Sequence, residues 1–213
     1  MKETFEFKCS YCGVDACTSE EEKKQPNYCP MPASDDILSH IKEDYLADEN
    51  IHTLALESAK GEAAGYCKWT RVEETVNFAK KLGVTTIGIA HCAGLKKEAK
   101  VVHQIFSNEG FKVHSVCCKV GRIEKEALGI KDEEKVHPGE FESACNPIAQ
   151  AKILADAGCG LNVVIGLCVG HDSLFFMHAQ APTTVLIAKD RVLGHNPVAA
   201  LYTSHTYYRR LVK

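Results

Sequence analysis

Between residues 84 and 188, short β-rich apolar runs alternate with runs of helical spacing, and this alternation restricts the fold more than any other feature of the chain. A strand is expected over 84–90, a helix carrying Val101, Val102, Ile105 and Phe106, and a second strand over 111–117 after Gly110. Asn146 as N-cap and Pro147 at the first helical position then open a helix through Ile153 and Leu154 to Gly158. Strands over 161–166 and 183–188 follow, separated by a short helix capped at Asp172 or Ser173. Continuous apolar strands joined by helices imply an α/β fold: a mostly parallel open sheet of about four strands, flanked by helices on both faces. Upstream, Ser34 with Asp35 and Asp36 predicts a helix over 34–46, and a second is expected over 48–59. Thr70 to Glu73 has capping-box spacing, followed by Val72, Val76, Ala79 and Leu82 at helical intervals and the stop residue Gly83. The connection over 121–143 carries little pattern.

In an open α/β sheet, ligands bind outside the carboxyl ends of the strands. Cysteines recur at those positions. The first strand runs out at His91-Cys92, the second at Cys117-Cys118, and the third enters the turn Gly166-Leu-Cys-Val-Gly-His-Asp172 with Cys168 inside it. Cys145 precedes the Asn-Pro helix start and is expected on the same rim. Neighbouring residues on a strand face opposite ways, so Cys118 rather than Cys117 is taken as the rim member. Cys92, Cys118, Cys145 and Cys168 thus form a candidate cofactor-binding set, suited to a second metal or an iron-sulfur cluster. Cys168 and His171 are the catalytic candidates: two glycines shape their turn, and a helix start lowers a thiol pKa and welcomes an anion. Buried packing is the alternative for such cysteines, and Cys67 and Cys159 are read that way or as surface thiols. The turn lacks the lysine and the serine or threonine of a phosphate-binding P-loop. Lys189 and Arg191 follow the fourth strand, where they would neutralise an anionic ligand or form a solvated charged turn.

The first thirty residues pose a different problem. Cys9, Cys12, Cys17 and Cys29 form a C-x2-C-x4-C-x11-C run in a stretch with too few large apolar residues to fold unaided. No apolar leader core precedes Cys9 and the eleven cysteines are an odd number, so a thiolate metal site is expected in place of disulfides. Zinc is the first choice and [4Fe-4S] the alternative, since Cys29-Pro30 resembles a ferredoxin ending although the spacings match neither ferredoxin pattern. The expected organisation is a metal-binding segment over 1–33 and an α/β domain over 34–213 that includes the N-terminal helices. The size, 213 residues at 45% hydrophobic, allows a proper core. A net charge of -3 without a basic cluster argues against nucleic acid, and the apolar stretches fall short of the roughly 20 residues of a spanning helix. So many thiols suit the reducing cytoplasm.

Taken in order, Cys9-x2-Cys12-x4-Cys17 with Cys29-Pro30, Cys145-Asn-Pro-Ile-Ala-Gln150, Gly166-Leu-Cys-Val-Gly-His-Asp172 and Lys189-Asp-Arg-Val-Leu-Gly-His-Asn-Pro197 resemble an uncharacterised family of bacterial and archaeal cysteine-rich proteins. That family is called metal-binding because its four N-terminal cysteines are thought to hold zinc. The resemblance spans essentially the whole chain and implies Cys9, Cys12, Cys17 and Cys29 as ligands; it implies no activity or substrate. The expected function is a cytoplasmic metal-binding protein whose rim thiols carry out redox or sulfur-transfer chemistry on a small or anionic molecule. Two alternatives stand beside it: a non-enzymatic metal or redox sensor, and an enzyme with Cys168 as nucleophile. No membrane or nucleic acid partner is expected, and the sequence does not identify a protein partner.

Overall fold

The computed structural model describes residues 6–21 and 23–213. Positions 1–5 of the expected metal segment, and Glu22 in the charged stretch 20–24, lie outside the described residues. The chain divides into two compact units, Met1–Ser58 and Ala59–Lys213.

The first unit holds short 3-10 turns at Cys9–Tyr11 and Ala16–Thr18, then helices α1 (Pro30–Ala33), α2 (Asp35–Leu38) and α3 (Ile41–Ala47). The single helix expected over 34–46 is therefore interrupted at Ser39-His40. Ser39 donates its hydroxyl to Asp36 O (3.2 Å), and His40 N–H takes the tighter i−3 partner Ile37 O (3.3 Å), so a serine side chain competes with the helical ladder at that point. Asp48 then caps α4 (Glu49–Gly65), its Oδ1 accepting from the N–H groups of Asn50 and Ile51. This helix runs past the expected end at 59 and carries the chain into the second unit.

After the end of α4 the second unit continues with α5 (Arg71–Lys81), where Thr70 and Glu73 form the predicted reciprocal cap. The chain continues through β1 (Thr86–His91), a 3-10 turn at Ala93–Leu95, α6 (Lys96–Asn108), β2 (Lys112–Cys117), α7 (Pro147–Asp156), β3 (Leu161–Ile165), α8 (His171–His178), β4 (Thr183–Ile187) and α9 (Val198–Tyr202). Every strand pairing is parallel and the spatial order is β2-β1-β3-β4. The step from β1 to β2 runs opposite to the steps from β2 to β3 and β3 to β4. Right-handed crossovers therefore put α6 on one face and α7 with α8 on the other, and α7 packs on β1, β2 and α8. All of β3 and nearly all of β1 are buried, as expected of strands covered on both faces. Phe106, Phe175, Ile87 and Ile165 lie at 0% exposure in this core, each worth roughly 1.5–3 kcal/mol of burial.

The long connection from β2 to α7 is held by charge instead of apolar pattern. Lys135 is buried, bonds Glu140 O (2.9 Å), and pairs with Asp132 (2.8 Å) and Glu126. Lys125 pairs with Glu142, and Glu124 bridges Ser143. These contacts return the chain to the sheet edge just before Cys145.

Candidate functional site

In the order β2-β1-β3-β4 the chain reverses direction between β1 and β3, so the crevice of this sheet opens at their carboxyl ends. The ladder continues one residue past β1 on both sides: Cys118 N–H bonds His91 O (2.9 Å) and Cys92 N–H bonds Ile165 O (3.0 Å). Cys92 and Cys118, which follow the paired His91 and Cys117, are therefore in register on adjacent strands and share a face.

Cys92 is the N-cap of the 3-10 turn that feeds α6. Its Sγ accepts the Gly94 N–H (3.4 Å) and is met by Lys189 Nζ (2.7 Å) from the segment after β4. Cys118 is 2% exposed; its Sγ accepts the Ala93 N–H (3.4 Å) and lies 3.8 Å from Cys145 Sγ. Cys145 is fixed by its neighbour, since Asn146 N–H bonds Cys118 O (2.7 Å) and Asn146 Oδ1 caps α7 through Ala149 N–H (3.0 Å).

The Cys92 thiol is pushed down to about 4: a hydrogen bond from Cys118 contributes most, followed by Lys189 and the Gly94 N–H, with burial opposing them. Cys145 is pushed down to about 5, again first by Cys118 and then by the charges of Lys119 and His171. Cys118 moves strongly the other way, because two sulfur neighbours and burial all favour keeping its proton. Cys118 is thus the protonated member of the trio. Its single S–H has two acceptors, Cys92 and Cys145, and can satisfy only one at a time.

Cys168 sits on the same rim with a different partner, Arg191 Nη2, 3.0 Å from its Sγ. The helix beyond it starts at His171, earlier than the expected cap: Gly170 takes the cap position at φ 86°, and Asp172 Oδ1 folds back to accept the N–H groups of Gly170 (3.0 Å) and Ser173 (2.8 Å). His171 Nδ1 is buried without a hydrogen-bond partner. Cys168 thus has the helix start and nearby cation expected from the sequence, the cation being Arg191, and Cys92 has the same pair of features with Lys189. Cys117 is half-buried and packs against the core; Cys159 is buried, which raises its thiol; Cys67 is exposed. Lys119 and Gln150 escaped the sequence reading. Gln150 is fully buried on α7 and its Nε2 bonds the carbonyls of His91 (3.2 Å) and Val116 (2.7 Å), tying the ends of β1 and β2 together. A glutamine on the apolar face of a helix, three residues after its opening proline, was the available signal.

In the first unit, Cys9, Cys12, Cys17 and Cys29 line one cavity of about 70 Å³ together with Asp15, Ala16, Pro26 and Tyr28. The 3-10 turn with Cys12 N–H on Cys9 O (3.0 Å) brings the C-x2-C pair round, and Cys29 closes a turn on Pro26 O (2.9 Å). Four free thiols around one cavity suit a soft four-coordinate ion in donor type. Among the described residues no three His, Cys, Asp or Glu side chains stand at ligating geometry, so these thiols would have to draw together to bind.

A family described as a protein of unknown function (DUF1847) matches residues 29–186, and the chain belongs to it. The match contains Cys29 and all four rim cysteines, while Lys189 and Arg191 lie just beyond its end. An archaeal relative, Uncharacterized protein MJ0455 of Methanocaldococcus jannaschii, is 43% identical over 207 residues, covering 97% of this chain and 99% of its own length.

Proposed function

We propose that this chain is a cytoplasmic thiolate protein performing redox or sulfur-transfer chemistry on a small anionic substrate. Cys92 is the reacting sulfur, and one structural zinc ion is held by Cys9, Cys12, Cys17 and Cys29. The observation that carries the reading is the placement of Cys92 Sγ at a helix start between the Gly94 N–H and Lys189 Nζ. A helix N-terminus and an adjacent cation are the features that turn a thiol into a nucleophilic thiolate at neutral pH. Lys189, Arg191, Lys119 and His171 around the rim favour a substrate that is itself negatively charged. The described cysteines are all free, as a reducing compartment would keep them.

The test is the rate of iodoacetamide alkylation at each cysteine as a function of pH, read by mass spectrometry. Cys92 is expected to react fastest among the rim thiols and to stay reactive well below pH 7. Cys92 inert while Cys168 alkylates would reject Cys92 as the reacting sulfur. Iron and labile sulfide in anaerobically purified protein would reject the zinc assignment if they are lost in Cys12→Ser, and a metal-free rim if they are lost in Cys118→Ser.

The N-terminal assignment is supported by the four thiols on one cavity and by the lack of a buried apolar residue in either 3-10 turn. Structural zinc contributes roughly 10–16 kcal/mol in small peptides, enough to order such a segment. Cys12→Ser is expected to lose the zinc and to open residues 6–33 to protease. Retention of one zinc per chain in that variant would reject the ligand set.

A further inference from the structure

We propose, building on the reading of Cys92 as the reacting thiolate, that the rim reduces a small anionic disulfide, with Cys118 as the resolving thiol and Cys145 as the base that takes the Cys118 proton. Three thiols in a row make this possible, and each has a distinct setting. Cys92 faces Lys189 and the crevice. Cys118 is buried beneath, in register with Cys92 on the neighbouring strand. Cys145 touches Cys118 from the far side at 3.8 Å.

Neighbouring strands lie about 4.8 Å apart, inside the roughly 4.4–6.8 Å between Cα atoms that a disulfide spans. The spacing of paired strands is therefore compatible with a Cys92–Cys118 bond. The Ala93 N–H on Cys118 Sγ supplies a fixed donor to the sulfur while it is unprotonated.

The steps balance as follows. Cys92 thiolate attacks one sulfur of the substrate R–S–S–R, forming Cys92–S–S–R and expelling R–S⁻. With Cys92 now uncharged in the mixed disulfide, one of the two sulfur neighbours that hold the proton on Cys118 is gone; Cys118 S–H passes its proton to the Cys145 thiolate as it attacks the Cys92 sulfur, forming the Cys92–Cys118 disulfide and expelling the second R–S⁻. The substrate gains two electrons, the Cys92–Cys118 pair loses them, and the proton rests on Cys145. A dithiol reductant returns the pair to its starting state.

Burial and charge define the substrate. Cys92 is only 7% exposed, so a small, flexible disulfide suits it better than one held in a folded protein. Lys189 and Arg191 beside the opening favour carboxylate-bearing disulfides over cationic ones.

The experiment treats fully reduced, anaerobic full-length protein with one equivalent of glutathione disulfide or of cystamine, a cationic disulfide, and counts thiol released while mapping disulfides by mass spectrometry. Wild type is expected to release two glutathiones per chain and to carry a Cys92–Cys118 link, with glutathione disulfide outpacing cystamine. Cys118→Ser is expected to stop after one glutathione, with the other on Cys92. Cys145→Ser is expected to reach the wild-type product with its second step slowed by about 10²-fold, the scale of a lost general base. A wild-type link between Cys118 and Cys145, or wild type halting at the mixed disulfide, overturns the resolving role; unslowed resolution in Cys145→Ser overturns the base; cystamine outpacing glutathione disulfide overturns the substrate class. The wild-type map needs no folded variant. If Cys92 carries no glutathione in Cys118→Ser, the failure lies in the reading of Cys92 itself.

Discussion

Lys189→Met removes the cation that meets Cys92 and keeps the bulk of the side chain. The Nζ–Sγ distance of 2.7 Å makes this a charge-assisted hydrogen bond, a class worth about 1.5–3 kcal/mol. With 1.36 kcal/mol per pKa unit, its loss should raise the Cys92 thiol by about 1–2 units. Wild-type Cys92 is held at about 4, so the midpoint of its alkylation profile should move from near 4 toward the next one or two pH units. The Gly94 N–H and the Cys118 S–H remain in the variant, which is why the thiol does not return to its ordinary value near 8.5. The assay is the pH dependence of alkylation at Cys92 in wild type, Lys189→Met and Lys119→Met. Lys119 acts on Cys145 and is the control: its loss should raise the Cys145 profile and leave that of Cys92 in place. An unmoved Cys92 midpoint in Lys189→Met, or an equal shift in Lys119→Met, would refute the local electrostatic origin of the thiolate.

Gly166→Ala should destabilise the second unit by about 1–3 kcal/mol in urea denaturation, because the residue sits at φ 63° and a Cβ there would stand 2.5 Å from Leu95 Cδ2. An undiminished midpoint would show that the turn before Cys168 tolerates a side chain. Gln150→Leu should cost about 1–3 kcal/mol by leaving the His91 and Val116 carbonyls without their side-chain donor, and it should speed hydrogen exchange at the ends of β1 and β2. Stability should also fall with acid. Cys92 and Cys145 are depressed in the folded state, so their contribution is complete above the ordinary thiol pKa, declines below it, and is gone once pH passes through about 5 for Cys145 and about 4 for Cys92. Urea midpoints between pH 8 and 4 should therefore drop less steeply in Cys92→Ser than in wild type, and parallel curves would count against the linkage.

The parallel sheet was legible because β1 and β3 are covered on both faces and read as unbroken apolar runs, and because Thr70 and Asn146 cap their helices with their own side chains. The break at Ser39 was not legible: one serine hydroxyl competing for a backbone carbonyl leaves no trace in a periodicity. The positions of Cys92, Cys118 and Cys145 followed from the rule that strand ends build sites. Their chemistry did not follow from it. What distinguishes Cys92 from Cys168 is which cation reaches which sulfur, and Lys189 lies 97 residues from Cys92 in the chain. The glycines around Cys168 are a local signal, whereas the Lys189 contact to Cys92 is long-range.

Those cations also separate the two groups of cysteines by the chemistry open to them. Thiolates that bind a metal have their negative charge balanced by the ion, so a positive side chain among them competes with it. The N-terminal cavity agrees with that condition, since no lysine or arginine is among the described residues lining it. On the rim the balance is already struck by the protein: Lys189 stands on Cys92, Arg191 on Cys168, and Lys119 and His171 act on Cys145. A divalent ion entering there would face Lys189, Arg191 and Lys119, whereas an incoming anion would be drawn by them. The partner charges therefore support the proposal that Cys9, Cys12, Cys17 and Cys29 hold the metal and that Cys92, Cys118 and Cys145 carry the thiolate chemistry. The same reasoning makes the assignment reversible by charge: Lys189→Glu combined with Arg191→Glu should weaken the attack of Cys92 on anionic disulfides and raise the affinity of the rim for zinc, measured by competition with a chromophoric chelator. Unchanged zinc affinity in that double variant would show that the rim cations do not decide between the two chemistries.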